Sequence, residues 1–166
     1  MTSRFGRLPW LWLSLLVFVI DQASKFYFDN ALTLYQQIVV IPDYFSWTLA
    51  YNTGAAFSFL AGESGWQRWL FALIAIVISA VLVVWLKRLK PDETWLALAL
   101  ALVLGGALGN LVDRVIFGHV VDFVLVHWQH RWYFPAFNVA DAAITLGAIL
   151  LALDMFKSNK SGETTP

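Results

Sequence analysis

The chain contains no cysteine. Disulfides, thiolate nucleophiles and cysteine-based zinc sites are therefore excluded. Charge is also scarce. Lys, Arg, Asp and Glu make up 13% of the 166 residues, and the formal net charge is zero. A neutral chain carries no electrostatic footprint for nucleic acid. Several enzyme motifs are missing too: the sequence has no G-x-S-x-G elbow, no H-E-x-x-H pair and no P-loop spacing. It has no internal repeat and no low-complexity linker.

What is present is mostly apolar. Hydrophobic residues account for 60% of the chain, and the mean hydropathy is +0.67. That excludes a disordered chain and argues against a water-soluble globule. Trp occurs nine times, with many copies flanking apolar runs, as in interfacial aromatic belts. A membrane helix needs about 20 mostly apolar residues. Four windows qualify: residues 8–28, 66–86, 94–112 and 137–156. The first follows Arg4 and Arg7, as the core of a cleaved signal peptide would. However, "VFVIDQASK" offers no small-x-small cleavage site and is interrupted by charge, so it reads as an uncleaved span. The expected architecture is an all-α membrane protein with one domain over residues 1–156. Residues 157–166 are expected to form a disordered cytoplasmic tail.

Lys and Arg set the expected orientation. Arg4, Arg7, Lys87, Arg88, Lys90, Lys157 and Lys160 fall on one side, and Lys25, Arg68, Arg114 and Arg131 on the other. The richer side is expected in the cytoplasm together with both termini. Two longer loops, roughly 29–65 and 114–136, then face outward, and loops of such length are often functional. In the first loop, "IVVIPDYFSWTLAYN" has two β-rich runs broken at Pro42–Asp43, which predicts a small hairpin or sheet on the membrane.

Polar residues recur near the outer ends of the spans at helical spacing, so that they share faces. Asp21 and Lys25 lie on the first span. Gly106, Asn110, Asp113 and Arg114 lie on the third, and Asn138, Asp141 and Thr145 on the fourth. Asp122 sits in a β-type run, "GHVVDFVLVHW", in the second outer loop. Most of these have a plain structural reading. Asp21–Lys25 reads as an ion pair on the helix surface near the headgroups. Asp113–Arg114 reads equally as an interfacial anchor, the "GGALGN" glycines as packing contacts, Asn52 as a turn cap and Asp154 as a solvated end charge. Asp141 resists such a reading, because carboxylates inside the membrane are costly and functional by default.

Two chemistries compete with an aspartate pair. A Ser–His hydrolase would draw on His119, His127 or His130, but these lie in a Trp-rich interfacial segment and read as structural. A zinc site lacks ligand spacing. Two carboxylates without metal remain, one taking a proton from water while its protonated neighbour polarises a carbonyl. A proton- or cation-coupled transporter is the rival class; large outer loops and the lack of a repeat favour it less.

In order along the chain, "DQASK", "YNTGAAFSFL", "GGALGNLVDR", "VVDF" and "FNVADAAI" resemble the motifs of bacterial lipoprotein signal peptidases, or signal peptidase II. The resemblance implies four transmembrane helices, a periplasmic β-cradle with an amphipathic loop, and cytoplasmic termini. It implies an aspartyl endopeptidase of the bacterial inner membrane, without metal or cofactor, acting at the periplasmic leaflet. The substrates it implies are prolipoproteins, cut just before a cysteine carrying diacylglycerol. Membrane lipids are a further partner, and the cyclic peptide globomycin is the family's inhibitor. Asp122 and Asp141 match the catalytic pair. Asn52, Gly54, Gly106, Asn110, Asp113, Arg114, Asn138 and Ala140 match positions lining or supporting the site. Asp21 and Lys25 match a polar pair holding the outer end of the bundle.

Overall fold

The computed structural model describes residues 6–54, 65–129 and 131–162, with side chains up to Phe156. A 3-10 turn at Leu8–Trp10 leads into helix α1 (Leu11–Ala31). Strands β1 (Gln37–Ile41) and β2 (Phe45–Asn52) follow, then helices α2 (Trp66–Arg88) and α3 (Thr94–Ile116). Strands β3 (Val120–Trp128) and β4 (Trp132–Tyr133) precede helix α4 (Val139–Gly162).

All four helices are long and apolar enough to cross a membrane. Half of the α3 span (50%) is buried, against 17–22% of the other three, so α3 is the central helix. Its composition permits this. In an apolar solvent, close backbone approach replaces the hydrophobic effect as the force joining helices, and small residues allow it. A Cβ on Gly105 would fall 2.7 Å from the Ser14 carbonyl oxygen of α1, and one on Gly106 would strike the Ala140 carbonyl of α4. On α4, a Cβ on Gly147 would lie 2.6 Å from Val103 Cγ2 and 2.7 Å from the Ala99 carbonyl oxygen. Large apolar side chains such as Trp12, Leu15, Leu73, Ile76 and Leu153 point outward.

At one end of the bundle Arg7 binds the α2–α3 turn. Its backbone N–H donates to the Leu86 carbonyl (2.9 Å), and its guanidinium donates to Lys90 O (3.2 Å), Thr94 Oγ1 (2.6 Å) and the Pro91 carbonyl. The first basic segment and the "KRLK" turn therefore share an end, as the charge count requires.

At the other end lies an antiparallel sheet in the order β1-β2-β3-β4. The expected hairpin is present, with Asp43 (φ 68°) in its turn. The apolar β-type run of the second outer loop is strand β3, and it pairs with β2, setting Asp122 opposite Ala50 beside an irregularity between Trp47 and Ala50. Strand β3 also grips the entrance to α4. Val124 N–H donates to Phe137 O (2.9 Å), and Phe137 N–H returns to Val124 O (3.0 Å). Beneath the sheet, Leu32, Leu49 and Val121 form a small core, and Phe28 of α1 stacks on Phe123 at 4.4 Å.

Helix α4 runs on to Gly162, past residue 157, where composition led us to expect a disordered tail. Residues 55–64 of the first outer loop, and His130, lie outside the described residues.

Candidate active site

The start of α4 organises the site. Asn138 precedes the helix and Asp141 lies in its first turn. Asp141 N–H donates to Asn138 Oδ1 (2.9 Å), while Asn138 N–H donates to Asp141 Oδ2 (3.3 Å). This reciprocal pair has the form of a capping box, which satisfies backbone donors that the first helical turn leaves open. A third donor, Ala140 N–H, is met by Asp21 Oδ1 of α1 at 2.8 Å. Asp141 thus has a local role in starting its helix, and its other oxygen remains available for a further contact.

That contact comes from α3. Asn110 Nδ2 donates to Asp141 Oδ1 (2.8 Å). The Asn138 amide donates to Asp122 Oδ1 (2.7 Å), Val121 O (3.3 Å) and Asn110 Oδ1 (3.3 Å). Asp122 and Asp141, 19 positions apart in sequence, are therefore linked through two amides. The side chain of Asn52 also hydrogen-bonds Asp122. Asp122 is only 2% exposed. Burial, and then the charge of Asp141, push the Asp122 carboxyl up to about 8, while hydrogen bonds from Asn138 and Asn52 and the Lys25 charge pull the other way.

A cavity of about 720 Å³ opens beside this pair. Asn52, Asn110, Arg114 and Asp141 form its polar end. Ile74 and Ile78 of α2 and Leu146 and Ile149 of α4 line its apolar end, and the loop from Phe134 to Phe137 covers part of it. Asp141 faces the cavity, and Asp122, 2% exposed, is joined to it through Asn138 and Asn110. Arg114 donates to the Gly54 carbonyl (3.2 Å) and the Asn110 carbonyl (3.2 Å), lies 5.5 Å from the centre of the Phe71 ring, and its charge acts on both Asp141 and Asp122.

Asp21 and Lys25 are 0% and 3% exposed, which corrects the reading of a headgroup-level surface pair. Lys25 Nζ meets Asp21 Oδ2 (2.8 Å), Asp113 Oδ2 (2.9 Å) and Asn110 Oδ1 (2.9 Å). Asp113 is likewise buried, not an interfacial anchor, and it accepts from Val121 N–H (3.2 Å) next to Asp122. Helical spacing reveals which residues share a face but not what covers that face; α3 covers this one. Sequence reasoning missed Gln22, which donates to Asp113 Oδ1 (2.9 Å) and Gly109 O (3.2 Å). Its place in "DQASK" was the available signal. Gly106 and Ala140 meet each other in the α3–α4 contact and support the site from behind.

His119 packs against Tyr51 with tilted rings whose centres are 4.1 Å apart, and burial pushes its imidazole down. His127 is buried near Ser46 Oγ (3.4 Å); neither residue lines the cavity, so this pair offers no exposed nucleophile. Among the described residues no cluster of His, Asp or Glu has the arrangement of a metal site.

The family model for signal peptidase (SPase) II matches residues 13–157. The chain belongs to the signal peptidase II family. It is 80% identical to the lipoprotein signal peptidase of Pseudomonas syringae pv. tomato, over 98% of this chain and 94% of that one. Identity to the lipoprotein signal peptidase of Pseudomonas putida is 82%, over 96% and 93%. A solved bacterial membrane enzyme superposes with a TM-score of 0.84 at 28% identity, covering 100% of this chain and 98% of its own. A second, at 29% identity, gives 0.77 over 95% and 98%. Membership of signal peptidase II makes the chain a membrane protease and sets aside the transporter reading.

Proposed function

We propose that Asp122 and Asp141 are the catalytic pair with which this signal peptidase II removes signal peptides from prolipoproteins. The observation that carries the assignment is the hydrogen-bonded chain Asp122–Asn138–Asn110–Asp141 at the polar end of a cavity that is otherwise apolar. The raised Asp122 carboxyl keeps its proton at neutral pH. It hydrogen-bonds the oxygen of the scissile carbonyl and retains its proton when the carbonyl re-forms. Asp141, facing the cavity, takes a proton from water. The water oxygen bonds to the carbonyl carbon, the C–N bond breaks, and the proton held by Asp141 passes to the leaving amine. Arg114 compensates the negative charge of the pair.

The cut falls just before a cysteine carrying diacylglycerol. The substrate's signal helix and lipid chains stay in the bilayer while the peptide reaches the polar end of the cavity. The enzyme lies in the bacterial inner membrane with both termini cytoplasmic and its site at the periplasmic leaflet. The Lys and Arg distribution supports this orientation, as does the shared end occupied by Arg7 and the α2–α3 turn. Globomycin occupies the same cavity.

Purified protein in detergent, where no ion gradient exists, should cleave a diacylglyceryl-modified precursor and leave its unlipidated form essentially intact. Equal turnover of the two would remove the lipid from the recognition scheme. Addition of EDTA should leave the rate unchanged; a loss restored by zinc would contradict the two-carboxylate mechanism.

A further inference from the structure

We infer that Lys25 is a positioning residue for the cleavage reaction: its ammonium fixes which way the Asn110 amide faces, and so presents the Asn110 NH2 group to Asp141. An asparagine amide can turn either its oxygen or its nitrogen toward a neighbour. A lysine ammonium has three donors and no acceptor. Lys25 Nζ lies 2.9 Å from Asn110 Oδ1. Turning this amide over would set two donors against each other at Lys25 and two acceptors against each other at Asp141 Oδ1, which now receives Asn110 Nδ2 at 2.8 Å. The opposed contact at Lys25 would be buried and unsatisfied, an expensive arrangement, and the one at Asp141 part-buried.

The second amide is fixed in the same manner. Asn138 Oδ1 accepts the backbone N–H of Asp141, which can only donate. Asn138 Nδ2 is left to face Asp122 and Asn110 Oδ1. Two obligate donors, an ammonium on α1 and a peptide N–H on α4, thus orient two ambivalent amides, and each amide nitrogen then meets one carboxylate.

A purely structural role for Lys25 needs less than this. Asp21 and Asp113 already pair with its charge, at 2.8 and 2.9 Å. The third donor goes to a neutral amide that itself touches Asp141, and the first two contacts do not require it. Lys25 therefore acts on the reaction through Asn110 without lining the cavity.

The inference rests on Asp141 acting in the reaction. Asp141→Asn tests that reading alone, since full activity in that variant would remove it whatever Lys25 does. The test of Lys25 is a kinetic cycle on a diacylglyceryl-modified precursor, comparing purified wild type, Lys25→Met, Asn110→Ala and the double variant in detergent. Thermal unfolding in the same detergent checks that each is folded. Misplacing a reacting group costs on the order of 100-fold, so Lys25→Met should lower kcat by about that factor with KM unchanged. The double variant should be no slower than Asn110→Ala, because the path through Asn110 is already cut. Should Lys25→Met not fold, the cycle is run with Lys25→Met/Asp21→Asn, which removes both members of the Lys25–Asp21 pair, keeps an acceptor for Ala140 N–H and leaves Asp113 its donors from Gln22 and Val121 N–H. Losses that multiply in the double variant, or a wild-type kcat in the Lys25 variant, would overturn the inference.

Discussion

Asp122 and Asp141 are chemically identical side chains in different surroundings. One is buried in a strand and the other caps a helix beside a cavity. In the proposed mechanism this difference makes one the acid and the other the base. Burial disfavours the charged form of Asp122, and the Asp141 charge adds to the effect, so its carboxyl sits at about 8. The sign of the pH dependence follows. Below about 8 Asp122 holds the proton the mechanism needs, and above it that proton is lost. Cleavage by purified protein should therefore fall as pH rises through about 8; a rate still climbing at pH 9 to 10 would assign the proton elsewhere. Asn138→Ala should be costly for two reasons, because it removes both the α4 cap and the Asp122 donor. A lost cap costs about 1 kcal/mol, so the variant should unfold at lower temperature as well as cleave more slowly.

Among the elements, α3 carries the architecture. It touches the other three helices and brings Asn110, Asp113 and Arg114 to the site. Gly105 sits against the α1 backbone, where a Cβ would meet Ser14 O at 2.7 Å and Val17 Cβ at 2.8 Å. Gly105→Ala should therefore destabilise the bundle by about 1–3 kcal/mol, as overpacking does, measured as a lower thermal midpoint in detergent. An unchanged midpoint would mean that α1 moves away freely. The helices were legible in the sequence because length and apolar composition suffice to mark a span. The β1–β2 hairpin was legible because its turn lies between two β-rich runs. The pairing of β2 with β3 was not: it joins residues 45–52 to residues 120–126, and no local pattern encodes a partner so distant. The burial of Asp21, Lys25 and Asp113 was hidden for the same reason, since their cover comes from other helices.

For the molecule as a whole, the arrangement suits a substrate that is itself membrane-bound. Polar groups from α1, α3, α4 and the sheet converge at one end of the bundle, and the cavity below them is apolar. Asp141 was legible because a carboxylate in a span stands out, whereas Asp122, in a loop, was singled out by the resemblance of "VVDF"; Asn110 and Asn138 were named from the sequence, but their bonds to the two carboxylates came into view only with the fold. Orientation is open to a direct check, because the chain has no native cysteine. Gln37→Cys, on exposed strand β1, should react with an impermeant thiol reagent from the periplasm. Lys90→Cys, in the α2–α3 turn, should react only after the cytoplasmic side is opened, and the reverse pattern would invert the topology. The central claim is the aspartate pair. Its most direct measurement is turnover of a diacylglyceryl-modified precursor by purified Asp122→Asn and Asp141→Asn proteins, with Asp154→Asn as a control at the far end of α4. Each site variant should still bind precursor yet cleave it roughly 10²–10⁴-fold more slowly, while the control matches wild type; normal turnover by either site variant would contradict the assignment.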